Sequence, residues 1–203
     1  MTGTDDRTWM GTVETSLAVA VDLRDGVAGG RPTGSPSVSL ADRPETFTRT
    51  PSGYHVLSDL PADVGEVTVV VDDCDAHLTE RRTVDLDGDR STPETVELLP
   101  SPAYPFGSGA TVVRGFVSDE SGAPIAGATV TIQDRDERTR TNTAGEYAVG
   151  IRSIGSDDVS DDNALEVDGE TPVLEATHPE TGATTAAETV IDVGKTARQD
   201  VEF

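Results

Sequence analysis

Val113-Arg114-Gly115-Phe116-Val117-Ser118-Asp119-Glu120-Ser121-Gly122-Ala123-Pro124-Ile125-Ala126-Gly127-Ala128-Thr129-Val130-Thr131-Ile132 is the stretch that decides the fold. Residues 112–117 alternate as a half-buried strand, and residues 118–124 form a polar turn. A second strand over 128–133 points Val130 and Ile132 inward. Gly122 supplies the positive φ of a tight turn, and Pro124 fixes φ at the edge of the strand that follows. Gly127-Ala128 lets the strands cross closely. Further on, Asn142 and Gly145 make the next turn. Residues 146–151 then form a strand in which Tyr147 anchors the core with a polar tip. Phe116 is expected in the same core. Residues 153–163 read as polar, acidic and strand-free. Strands over 173–177, 189–193 and 197–203 close the module.

The first half reads the same way. Leu17, Val19, Val21 and Leu23 alternate, and Asp25-Gly26 and Gly29-Gly30 mark turns. Strands follow over 37–40, 54–57, 66–71, 83–86 and 95–99, and no helical stripe competes. Gly30, Pro32, Val38 and Gly53 match Gly122, Pro124, Val130 and Gly145 at a constant offset of 92 residues. The halves therefore read as a tandem repeat. Between them lie Pro100, Pro102 and Pro105, which deny a central strand. The interleaved Tyr104 and Phe106 are too costly to expose on a loose tether, so they are expected in the seam between modules.

Residues 113–132, together with Thr141-Asn142-Thr143-Ala144-Gly145-Glu146-Tyr147, resemble the carboxypeptidase regulatory-like family. Its pattern is a G-x-V-x-D strand and turn, then G-x-P-(I/L)-x-G-A-x-V, then T-(D/N)-x-x-G-x-(Y/F). The resemblance implies a seven-stranded prealbumin-like sandwich of the kind appended to enzymes, receptors and surface proteins as a spacer, folding aid or binding module. The first half looks like a diverged relative, its G-A-x-V replaced by Ser35-Pro36-Ser37-Val38. The expected fold is all-β: two tandem prealbumin/Ig-like β-sandwiches joined by a Pro-rich linker. The divisions are a polar leader (1–11), a diverged sandwich (12–99), a linker (100–110) and a regulatory-like sandwich (111–203).

The chain carries 38 Asp and Glu against 15 Lys and Arg, a net charge of −23, and only 4% aromatic residues. The acid is spread through both halves, so it is not a tail. Asp outnumbers Glu and Lys195 is the single lysine, a balance that resembles haloarchaeal proteins. At molar salt the Debye length is about 3 Å, and such a coat is screened. The surface repels nucleic acid and anionic membrane. No run reaches the roughly 18 apolar residues of a membrane span. Residues 1–10 lack a basic, apolar export signal. A cytoplasmic protein is expected, released in some cases as part of a particle. Cys74 is alone, so no intrachain disulfide is available.

Candidate chemistry is sparse. His55, His77 and His178 accompany neither a nucleophile elbow nor HExxH. Asp72-Asp73-Cys74-Asp75-Ala76-His77 offers soft and imidazole donors for zinc, but without a second half it reads first as a solvated loop. Asp85, Asp87 and Asp89 have calcium-loop spacing. Yet the glycine falls at the fourth position and Val96 stands where a closing Glu belongs. The acidic run 157–163 is a solvated insertion first and a cation site second. Among the aromatics, Trp9 in the polar leader is the unexplained one and is the first candidate for a partner anchor, with Tyr104 and Phe106 behind it. No catalytic residue and no cofactor beyond the calcium candidate is expected. The leading reading is a non-enzymatic structural or adaptor protein, bound to other protein subunits of an assembly. Short pieces around Tyr54 and Tyr104 resemble small proteins of phage-tail-like contractile particles. A stand-alone carbohydrate- or protein-binding module is the alternative, and a hydrolase using His55 or His178 the third reading.

Overall fold

The computed structural model describes residues 16–61, 63–72, 75–86 and 92–203. The alternation around Leu17 and Val113 produces the two longest strands, β1 (Leu17–Asp25) and β8 (Thr111–Ser118), and each sits inside a sheet. Around β1 are β2 (Ser37–Leu40), β3 (Thr48–Arg49), β4 (His55–Ser58), β5 (Glu66–Asp72), β6 (Glu80–Asp85) and β7 (Glu94–Leu98). Around β8 are β9 (Thr129–Ile132), β10 (Arg138–Arg140), β11 (Glu146–Ile151), β12 (Val173–Thr177), β13 (Thr184–Glu188), β14 (Thr196–Arg198) and β15 (Val201–Glu202). One short 3-10 turn, Ser156–Asp158, interrupts the acidic run.

The sheets pair off into two sandwiches with one topology. In the first, the order β3-β4-β1-β7 faces β2-β5-β6; in the second, β11-β8-β14 faces β10-β9-β12-β13, with β15 also on β8. Each central strand has an antiparallel neighbour on one side (β4 or β11) and its sandwich's last strand, parallel, on the other. The one switch is that β10 pairs with β9 whereas β3 pairs with β4. Even so, Thr46 just before β3 bridges Ser39 of β2, so the chain touches both sheets there. Two separate cores result. One gathers Val19, Val21, Leu57, Val69, Val71 and Leu98; the other gathers Val113, Val130, Ile132, Tyr147, Leu174 and Ile191.

The repeat extends to single bonds. Gly53 N donates to the Thr50 carbonyl and Gly145 N to the Asn142 carbonyl, 92 residues on, at 2.9 and 3.0 Å. Tyr54 N is taken by Thr50 Oγ1 at 3.1 Å and Glu146 N by Asn142 Oδ1 at 3.0 Å. Both glycines have the positive φ this turn demands, +86° and +79°. The earlier match slips by one: Gly29, not Gly30, is the left-handed residue corresponding to Gly122. The loop closed by Asp25 N and the Gly30 carbonyl is one residue longer than that closed by Asp119 N and the Ala123 carbonyl.

Some expectations change. Residues 189–193 bury Thr189 and Ile191, but they are not a strand. Their main chain bonds to Pro172, Leu165 and Asn163, and Asp192 makes only an isolated antiparallel bridge with Ala164. The edge strand is β13, whose Thr-Thr-Ala-Ala-Glu gives no apolar period. Phe116 stands half-exposed outside the core cluster, on the face of β8 opposite Val113 and Val117. The last strand is split into β14 and β15 by a bulge at Gln199 and Asp200. There the Asp200 carboxylate accepts Phe116 N at 3.0 Å and the Gln199 carbonyl accepts the Tyr147 hydroxyl. Gly115 makes the bulge feasible, because a Cβ there would overlap the Gln199 carbonyl oxygen. Gly115→Ala is expected to destabilise the second sandwich by about 1–3 kcal/mol through overpacking. Urea denaturation checks this; a loss under about 0.5 kcal/mol would show a pliable bulge.

Candidate functional site at the seam between the sandwiches

An aspartate ends the first strand of the first sandwich (Asp25) and follows that of the second (Asp119). Asp119 caps an exposed turn, its Oδ1 accepting Ser121 N and Ala123 N at 2.9 Å. Asp25 does the same for Val27 N and Ala28 N at 2.8 Å, but it is only 3% exposed. Its second oxygen faces the linker. Tyr104 Oη donates to Asp25 Oδ2 at 2.8 Å, and His77 Nε2 lies 3.2 Å from the same atom. The His77 ring meets Tyr104 edge-on at 5.3 Å, and Tyr104 meets Phe106 at 4.7 Å. Phe106 lies over Gly150 of β11, where a Cβ would press into the ring, and under the Arg114 guanidinium of β8 at 5.3 Å. Arg114 also donates to the Pro102 carbonyl. A continuous path of contacts thus runs from β1 through the linker to β8 and β11.

A second set of contacts joins β10 to the first sandwich. Buried Thr139 donates to the Pro100 carbonyl at 3.0 Å, Arg138 pairs with Glu97 at 3.2 Å, and Arg140 pairs with Glu80. Burial raises the Glu80 carboxyl above the ordinary glutamate value, with Arg140 offsetting part of that rise. The segments flanking this contact are themselves zipped: Leu78 N donates to the Leu99 carbonyl and Ser101 N to the Ala76 carbonyl, both at 2.9 Å. Beside His77 an open cleft of about 580 Å³ lies between Asp75, Pro102, Gly127 and Arg140.

Burial alone would raise the Asp25 carboxyl. The Ala28 N–H, the Tyr104 hydroxyl, the Val27 N–H and the His77 ring outweigh it and hold the group below the usual carboxylate range. Burial, with the same contact, pushes Tyr104 well above the ordinary tyrosine value. A depressed carboxylate stabilises fully above its unfolded value of about 3.9, and that stability is lost as pH falls through the lower folded value. The raised tyrosine acts at the other end, losing stability as pH climbs past its unfolded value of about 10. Denaturation midpoints should therefore fall more steeply below about pH 4 in the native chain than in Asp25→Asn. Equal slopes would remove Asp25 from the seam's energetics.

The remaining candidates are scattered. His77 was expected in a solvated loop or a zinc site; the structure buries it against Asp25, and Cys74 and Asp73 lie outside the described residues. His55 is half-buried on β4, held below the ordinary histidine value by burial and by Arg49. His178 caps its own turn, Nδ1 accepting Glu180 N at 3.2 Å, and its ring meets Phe203 at 5.5 Å. Tyr54 lies beneath the Arg31 guanidinium at 5.2 Å. Asp85 ends β6, whereas Asp87 and Asp89 lie outside the described residues, as does Trp9. In the acidic run Asp158 Oδ2 accepts Gly155 N at 2.8 Å. Among the described residues no three His, Cys, Asp or Glu side chains come together as metal ligands, and no helix is long and apolar enough to cross a membrane. Tyr104 and Phe106 are half-buried and engaged within the chain.

Residues 112–160, within the second sandwich, match the carboxypeptidase regulatory-like domain family. Two solved structures show similarity at low identity. The Bacillus anthracis TIE protein is 12% identical with a TM-score of 0.30, covering 92% of this chain and 34% of its own. The Streptococcal ancillary pilin is 10% identical with a TM-score of 0.30, covering 93% of this chain and 68% of its own. The chain thus spans about a third of the length of the first. No curated protein matches the chain.

Proposed function

We propose that this chain is a non-enzymatic adaptor, two β-sandwiches held at a set mutual angle so that a larger assembly can use them as one unit. The observation that carries the reading is the use of Asp25. A turn aspartate that is partly exposed in one repeat is buried in the other, where it receives a histidine and a tyrosine from the seam. A flexible two-module tether has no need of that network, since relative motion is the default for small polar interfaces. A subunit that transmits position does. The aspartate is saturated with donors and 3% exposed, so it is poorly placed to take a proton from a substrate. Within this reading, a phage-tail-like contractile particle is the assembly that the short motif resemblance favours. The acidic surface suits work in high salt.

The test is affinity capture of the tagged full-length chain from its native host at molar salt. Stoichiometric co-purifying structural subunits are expected. A chain recovered alone, with a hydrolytic activity that His55→Ala and His178→Ala abolish, would overturn the reading.

A further inference from the structure

A second groove, of about 460 Å³, is lined by residues of both sandwiches. Strands β6, β7 and β10, each the last strand of its own sheet, border it together with Thr129 of β9. Among the described residues none of the three pairs with a strand on its outer side, and on β6 the outward main-chain groups of Arg81 and Thr83 offer an edge to a further strand. The groove also gathers charge of the rare sign. Arg81, Arg82, Arg138 and Arg140 line it against Glu80 and Glu97, in a chain with 15 basic residues and a net charge of −23. Arg82, Arg138 and Arg140 each hold one glutamate (Glu94, Glu97 and Glu80). Arg81 is exposed and makes no ion pair among the described residues, and the Nε of Arg140 is buried without a hydrogen bond. Among the described residues, donors therefore outnumber acceptors in the groove.

We propose that this groove receives an extended, acidic segment of a partner protein. Its main chain adds to the outer edge of β6, and its carboxylates are taken by Arg81 and by the outer faces of Arg138 and Arg140. Strand addition supplies sequence-independent main-chain bonds, and side chains at every second position supply selectivity. Guanidinium groups suit carboxylates because their planar donors bind both oxygens. The acidic coat elsewhere does not forbid this. At about 0.15 M salt the Debye length is about 8 Å, so distant acids are screened while contact pairs are not. The inference rests on reading the chain as an adaptor and names what one face of it holds.

The experiment uses the full chain and a fluorescein-labelled octapeptide of alternating glutamate and threonine, followed by anisotropy at 0.15 M salt. Saturable binding is expected. It should weaken about tenfold or more in the Arg81→Ser/Arg138→Ser double variant, and likewise when alternate peptide nitrogens are methylated. Unchanged circular dichroism would confirm that the variant folds. Absence of saturation overturns the proposal, as does equal binding by the variant or by a peptide with lysine for glutamate. Equal binding of the methylated peptide would mean a plain anion groove and overturn strand addition. Self-association of the native chain in sedimentation, lost in the double variant, would make the occupant a second copy instead. If the octapeptide fails while structural subunits still co-purify, the groove falls and the adaptor stands.

Discussion

Asp25→Ala is expected to cost the first sandwich about 3–5 kcal/mol and to free the two sandwiches from their mutual angle. The size follows from what is left behind. One carboxylate satisfies two main-chain N–H groups, the Tyr104 hydroxyl and the His77 ring, at 2.8 to 3.2 Å. Its side chain is 4% exposed and that of His77 is 2%, so water cannot replace it without opening the seam. Tyr104→Phe removes only one donor and should cost about 1.5–3 kcal/mol, the range for a bond to a charged group. Two measurements separate the local and long-range effects. Chemical denaturation reads the stability, and small-angle scattering reads the distribution of distances between the two cores. Asp25→Ala should broaden the second as well as lower the first. An alanine variant whose scattering matches the native chain would show that the β10 contacts alone set the angle.

The two halves of that network differ in how visible they are from sequence. Strands β2 and β12 end where their apolar alternation ends, because one buried face leaves a period of two in the chain. β10 leaves no such trace. Arg138-Thr139-Arg140 buries a single threonine and spends its two arginines on the other sandwich, so it reads as a polar turn. The seam is harder still. Asp25 is legible as a turn residue, since Asp25-Gly26 is a local signal. Its burial depends on His77 and Tyr104, 52 and 79 residues away, and no local pattern reports a contact at that range. A histidine followed by Leu78 and Thr79 looks like the tail of an acidic loop until the linker is laid across it. Tyr104 and Phe106 were the available signal: two aromatics among three prolines, in a chain with few aromatics, imply a surface to cover. That signal locates the seam without saying what it meets.

Tyr147→Ala is the second large effect, expected to cost about 3–5 kcal/mol and to unfold the regulatory-like sandwich first. Tyr147 is 1% exposed on β11, facing Gly115 across the β8 ladder, and it belongs to the core cluster that includes Val113, Val149 and Leu174. Truncation leaves a ring-sized void among strands that cannot collapse far, because β8 is pinned on both sides by β11 and by β14 and β15. It also strips the Gln199 carbonyl of its donor. Tyr147→Phe isolates that last contribution and should cost about 1 kcal/mol. The ring and the hydroxyl therefore act on different elements: the ring fills the core, and the hydroxyl fixes the bulge between β14 and β15. Because the two cores share no residue, the loss should appear in one transition only. Hydrogen exchange should show protection falling across β8, β11 and β12 while β1 and β5 keep theirs. Equal loss in both sandwiches would mean that the seam couples them into one cooperative unit, and that the chain folds as a single body despite its two cores.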